Sequence, residues 1–217
     1  MRLLRLPGVF KPPSDSWMLI GAMRERGLAR GARALDVFTG SGVIAVAAGQ
    51  QGARSVTAVD VSRRAALCAR VNGRLNGTRV RGLRGDLFEP VRGERFDLIT
   101  ANPPYVPSAG DELPAAGAAR AWEGGTDGRV LVDRFSERVA EHLAPGGAVL
   151  MVVSSLTGEE ATLAALRDGG LESGVVARHR GPLGPLVSAR AEMLERRGLL
   201  APGEREEDIL VIEARRA

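Results

Sequence analysis

Four short strand-like runs of this chain each close on or beside a carboxylate or a carboxamide. Residues 33–38 hold Asp36, 55–59 stop at Asp60, 80–84 lead into Gly85-Asp86, and 96–101 stop at Asn102. Each run is too short for an ordinary helix; 33–38 reads as a buried strand by its apolar run, 96–101 as a short apolar strand, 55–59 as a β-branched strand, and 80–84 as the strand that continues the alternation. Between them lie helical stretches. One covers 43–51 after the turn Thr39-Gly40-Ser41-Gly42; another is capped by Ser62, runs to about Leu75 and is stopped by Asn76-Gly77. Strands that alternate with helices in this way must cross over, which gives a mostly parallel, doubly wound α/β sheet. In such a sheet the carboxyl ends of the strands share one rim, and ligands bind there. Topology alone therefore gathers Asp36, Asp60, Asp86 and Asn102.

The alternation continues past Asn102. Asp127 is placed to cap a helix in which Leu131, Phe135, Val139 and Leu143 recur every four residues. Pro145-Gly146-Gly147 then turns into a strand over 148–153, and a helix follows over 157–167. Runs 171–179 and 208–214 read as two further strands around a helical insert at about 186–197. No crossover helix separates the insert from the last run. These two strands are thus expected to pair antiparallel at one edge of a seven-stranded sheet, with the C-terminal strand as the antiparallel edge strand. Ahead of the sheet, residues 1–13 form a lead-in, and Ser14 or Asp15 caps a helix to about Arg26. At 217 residues and 44% hydrophobic content the chain can build one core. One domain is expected over 1–217, with lead-in and helix in 1–30 and the core in 31–217.

Composition removes several classes of function. Cys68 stands alone, and His142 and His179 are far apart, so no metal centre is expected. The longest strongly apolar run, 148–153, is far short of a membrane span, and residues 1–7 lack the apolar core of a signal peptide. A cytoplasmic protein without membrane contact is expected. The net charge of +4 comes almost wholly from arginine, with Lys11 the one lysine. Such an excess permits nucleic-acid contact without demanding it. Arg178, Arg180, Arg190, Arg196 and Arg197 read as a solvated face that could also hold RNA. Trp17 and Trp122 read as core or loop anchors, since aromatics are too few for a base-stacking surface. His142 suits a helix C-terminus, and Cys68 a small apolar helix position.

Asn102-Pro103-Pro104-Tyr105 is the most specific stretch. Neither proline can donate to a sheet ladder, and each holds the residue before it extended. Asn102 is thereby stiffly placed at a strand end, the Pro103 carbonyl is free of ladder duty, and Tyr105 can close over the same spot. Two acceptors and an aromatic ring suit a planar NH₂ group. A nitrogen that attacks an electrophile becomes positive, and both acceptors then hold it more strongly, which raises rate.

The remaining rim residues describe a ligand. Gly40-Ser41-Gly42 lets backbone approach closely, Asp60 suits ribose hydroxyls, and Asp86 suits an exocyclic amine, with Leu87 and Phe88 as apolar cover. Gly40-Ser41-Gly42-Val43-Ile44-Ala45 also satisfies a dinucleotide pattern, G-x-G-x-x-A, with Asp60 where NAD enzymes carry an acid. Asp36 argues against that reading, because a carboxylate ahead of the turn suits an ammonium or sulfonium better than a pyrophosphate. The set favours S-adenosylmethionine.

The series Asp36-Val37-Phe38-Thr39-Gly40-Ser41-Gly42, Asp60, Gly85-Asp86-Leu87 and Asn102-Pro103-Pro104-Tyr105 resembles that of class I S-adenosylmethionine-dependent methyltransferases. Its Asn-Pro-Pro-Tyr form resembles the branch acting on adenine-N6, guanine-N2 or glutamine-N5. Glu123-Gly124-Gly125-Thr126-Asp127-Gly128 resembles the Glu-Gly-Gly segment of HemK-type release-factor glutamine methyltransferases. Phe10-Lys11-Pro12-Pro13-Ser14-Asp15-Ser16-Trp17 resembles the Tyr-x-Pro-x-Glu-Asp-Thr motif of the short HemK branch, which does without the N-terminal helical domain of the bacterial enzymes. Ser14 stands where that family has an acid.

The resemblance implies a Rossmann-like methyltransferase fold, a protein glutamine amide as acceptor and a translation release factor as substrate, and it allows a small activating subunit. By it, Asn102, Pro103 and Tyr105 are catalytic. Ser16, Asp36, Thr39, Gly40, Gly42, Asp60, Val61, Asp86, Leu87 and Asn102 hold the cofactor, and no metal takes part. The alternatives are a nucleic-acid N-methyltransferase, a cofactor-binding scaffold without activity, and a nicotinamide dehydrogenase.

Overall fold

A computed structural model describes residues 1–9, 14–115 and 117–216. Helix α1 (Ser14–Glu25) precedes the alternating series β1 (Arg33–Val37), α2 (Val43–Gln50), β2 (Ser55–Asp60), α3 (Arg63–Leu75), β3 (Val80–Arg84) and β4 (Phe96–Ala101). Then come α4 (Val130–Val139), β5 (Leu143–Ser154), α5 (Glu159–Asp168), β6 (Leu171–Pro182), two short helices α6 (Pro185–Ser188) and α7 (Ala191–Arg196), and β7 (Glu206–Arg216). The seven strands form one sheet in the order β3-β2-β1-β4-β5-β7-β6. β1 to β5 are parallel, and β7 is antiparallel to both its neighbours. The two last strands pair antiparallel, as the missing crossover helix predicts. The C-terminal strand lies one place in from the edge, however, and β6 forms the edge itself.

Strand alternation divides the core in two. Leu35, Val37, Ile99, Val149, Met151 and Ile212 face α4 and α5, while Ala34, Ala58, Leu98, Leu150, Val152 and Val211 face α1 and α2. Burial on both faces explains why these strands read as continuous apolar runs.

Several boundaries differ from the sequence pattern for physical reasons. α4 begins at Val130, not at Asp127, whose carboxylate instead accepts the Arg129 N–H at 2.9 Å in the turn before it. Leu143 keeps the four-residue spacing by accident: it opens β5, which runs on through Pro145-Gly146-Gly147 with a shifted register against β4. α5 starts two residues later than expected, after a short turn at Ser155–Thr157. The helical insert is two helices, α6 and α7, not one. His142 is buried and stacked on Phe88, with ring centroids 4.5 Å apart, and burial pushes its pKa below the ordinary imidazole value. Burial thus outweighs the helix-dipole effect expected there. Trp17 is no core anchor; it is 48% exposed on the outer face of α1. Cys68 is buried as expected.

Candidate active site

The carboxyl ends of the parallel strands open on a cavity of about 1070 Å³. Its lining follows the strand order across the rim: Asp86 and Leu87 after β3, Asp60 and Val61 after β2, Thr39 and Gly40 after β1, and Asn102, Pro103 and Tyr105 after β4. Ser16 joins them from α1.

On the side of β1 to β3, Asp60 is the organising group. Its two carboxylate oxygens accept the N–H groups of Gly40 at 2.9 Å and Ser62 at 2.8 Å. Burial raises its pKa, and these bonds oppose the rise. Each oxygen keeps a lone pair, so the carboxylate can still accept from a ligand hydroxyl. Gly40 has φ +53° with open space where a Cβ would stand, so the turn backbone is bare towards the cavity.

Three predicted contacts are placed differently. Asp36 does not line the cavity. Only 2% exposed, it lies under the turn and accepts the Thr39 hydroxyl at 2.6 Å and the Thr100 hydroxyl at 2.8 Å. Burial raises its pKa to about 6. Asp36 thus braces the turn from beneath. Gly42 serves packing: at φ +81°, an added Cβ would stand 2.5 Å from Ala69 Cα of α3. Phe88 is wholly buried against Phe135 and His142, leaving Leu87 as the apolar cover. Asp86 is in place but is engaged by Arg134 of α4.

On the β4 side, Asn102 Nδ2 donates to Ser16 Oγ at 3.2 Å. That contact orients the amide, and neither its Oδ1 nor the Pro103 carbonyl accepts a hydrogen bond from the described residues. Tyr105 is anchored and not a loose lid, since its hydroxyl donates to Asp15 Oδ2. Burial and the neighbouring Asp15 charge hold the phenol well above its ordinary pKa, so it stays a neutral donor. Asp15 was not singled out in the sequence as more than a helix cap. Its place beside Ser16 in the N-terminal motif was the available signal; Phe10, Lys11, Pro12 and Pro13 of that motif lie outside the described residues.

The Glu-Gly-Gly segment backs the loop that follows Asn102. Val106 N–H donates to Trp122 O at 2.7 Å, Gly124 N–H to Val106 O at 3.0 Å and Ser108 N–H to Gly125 O at 2.7 Å. A Cβ on Gly128 (φ +78°) would meet Tyr105 O at 2.2 Å, which requires glycine there. The insert closes the far wall. Leu183, Val187, Leu194 and Leu200 pack on Val106 and Leu156 in a small core of their own. Arg190 donates to Pro107 O at 2.8 Å and pairs with Glu123, and Arg197 donates to Ser108 O at 2.6 Å and Ala109 O at 3.0 Å. Arg178 pairs with Glu159 and Asp208, and Arg180 with Glu204 and Glu206. The arginine set is therefore mostly committed within the fold and forms no open basic face.

Residues 1–118 match the family model described as the methyltransferase small domain. The chain belongs to this methyltransferase family. A Methanocaldococcus jannaschii protein named for protein N5-glutamine methyl transfer is 34% identical over 185 residues, covering 85% of this chain and 92% of that one. A release factor glutamine methyltransferase of Geobacter sulfurreducens is 34% identical over 151 residues, 67% of this chain and 53% of that relative, so this chain spans about half its length. Among solved structures, Mtq2 of E. cuniculi, determined with Trm112 as a complex responsible for methylation of the eRF1 termination factor, superposes with a TM-score of 0.67. At 22% identity, with 97% of this chain and 99% of that chain covered, this likeness supports the fold. The chain is a methyltransferase of the HemK type with the seven-stranded fold of such enzymes. Among the described residues no helix is long and apolar enough to cross a membrane.

Proposed function

We propose that this methyltransferase moves a methyl group from S-adenosylmethionine to the side-chain amide nitrogen of a protein glutamine, in a translation release factor. The observation that carries the reading is Asn102: its Nδ2 is tied to Ser16, which leaves Oδ1 and the Pro103 carbonyl as two unengaged acceptors at the cavity. The names of the relatives supply the acceptor class.

The residues fit the cofactor. Asp60 retains acceptor capacity for ribose hydroxyls, the Gly40 turn is open for close approach, and Leu87 and Val61 cover a flat ring. Bound there, the cofactor supplies an electrophilic methyl carbon. Asn102 Oδ1 and the Pro103 carbonyl would each accept one amide N–H, fixing the nitrogen for in-line approach. As positive charge develops on that nitrogen, both acceptors bind it more tightly. The proton can then leave to solvent, so no general base is required. Tyr105, held by Asp15, covers the acceptor without becoming an anion.

Labelled methyl transfer, with a Gly-Gly-Gln release-factor domain, RNA and DNA offered side by side, tests this reading. Label on the glutamine is expected; label confined to nucleic acid would overturn the acceptor while keeping the chemistry. A small activating subunit is part of the same reading, and inactivity of the chain alone towards all three acceptors would call for one.

A further inference from the structure

Glu207 is used by nothing described so far. It stands at the start of β7, opposite Gly181 of β6, and because β7 runs antiparallel this start lies on the rim that carries Asn102. It lines the same cavity as Asn102 and Tyr105, yet it is 8% exposed. Ser154 Oγ donates to its Oε2, and the Gly184 N–H reaches its Oε1 only at 3.3 Å. No arginine or histidine among the described residues pairs with it. Burying a carboxylate without a counter-charge costs stability, and two neutral donors offset only part of that cost. The neighbouring arginines are committed elsewhere: Arg178 to Asp208, Arg180 to Glu204 and Glu206, Arg190 to Glu123.

We propose that Glu207 is a specificity-determining residue, which takes a basic side chain of the protein substrate next to the methylated glutamine. The Ser154 hydroxyl fixes the carboxylate, and Oε1, which accepts only the long Gly184 N–H contact at 3.3 Å, keeps a lone pair for a guanidinium or ammonium. An acidic neighbour in the substrate would meet uncompensated like charge and be rejected. This inference rests on the protein-acceptor reading above, and the experiment separates the two.

The protein saturated with S-adenosylhomocysteine is titrated with two labelled peptides that carry the same Gly-Gly-Gln core, flanked by arginine or by glutamate. Binding is read by fluorescence anisotropy. The wild-type protein should prefer the arginine peptide by about tenfold or more, as expected for one charge-assisted contact. In Glu207→Gln that preference should fall to about threefold or less, with S-adenosylhomocysteine affinity unchanged. A preference that survives Glu207→Gln undiminished, or wild-type protein that binds both peptides equally, would overturn the proposal. The wild-type comparison stands even if the variant fails to fold. In a separate assay the same two peptides are offered with methyl-labelled S-adenosylmethionine in place of S-adenosylhomocysteine; methyl label on neither, with the binding preference intact, would sink the glutamine reading and leave the role of Glu207 standing.

Discussion

Asp36 shows how one residue can be read correctly for position and differently for role. Its place ahead of the glycine turn made it a candidate for the cationic end of the cofactor. In the fold it is buried, and its carboxylate holds Thr39, Thr100 and the Ala45 N–H. Desolvation raises its pKa from 3.8 to about 6. The folded state therefore keeps this proton over a window in which the unfolded chain has lost it. The stabilisation from Asp36 is fully present below about 3.8 and is lost as pH rises through about 6. Urea unfolding of wild type and Asp36→Asn across this range should show the wild type losing on the order of 3 kcal/mol relative to the variant. A flat difference would mean that Asp36 titrates normally. Sequence reasoning missed the inward turn because a strand residue's side-chain direction depends on which face its neighbours fill. Glu207 was missed for a related reason: it begins an antiparallel strand, so its apolar run follows it, where Asp60 and Asn102 come after theirs.

At the scale of elements, the acceptor loop owes its shape to segments far from it in sequence. Gly128 must be glycine because Tyr105 O occupies the space of a Cβ. Gly128→Ala should displace the loop and lower methyl transfer at least ~10²-fold, the order seen for a misplaced reacting group, while S-adenosylhomocysteine titration shows unchanged affinity. Equal loss of both would mean that the whole rim had collapsed. Arg197, the residue that caps the C-terminus of α7, acts on the same loop by tying down Ser108 and Ala109. Arg197→Met should raise KM for the protein substrate with little change in kcat, and Arg197→Lys should recover part of it. The Glu-Gly-Gly motif was legible as a motif; its physical task, a bridge from Val106 to Glu123, was not, because that pairing joins two loops without periodicity. The insert was legible only as helical. What it packs against depends on long-range contacts that a short apolar pattern does not encode.

For the whole molecule, the alternation of runs and caps gave the sheet, the strand polarity and the rim almost completely, since a parallel sheet with crossovers admits few other arrangements. Positions at the carboxyl ends of β2 and β4 proved to be where that topology puts them. The account stands or falls on what happens at Asn102. Its amide is oriented by Ser16 at the cavity, and in the function proposed above it would hold the acceptor nitrogen and not the nucleoside. The direct measurement is single-turnover methyl transfer by Asn102→Ala, paired with calorimetric titration of S-adenosylhomocysteine. The rate should fall by roughly 10²–10³-fold, as for loss of one preorganised group that meets developing charge, with cofactor affinity nearly intact. Full activity in Asn102→Ala, or a rate loss matched by an equal loss of cofactor affinity, would contradict it.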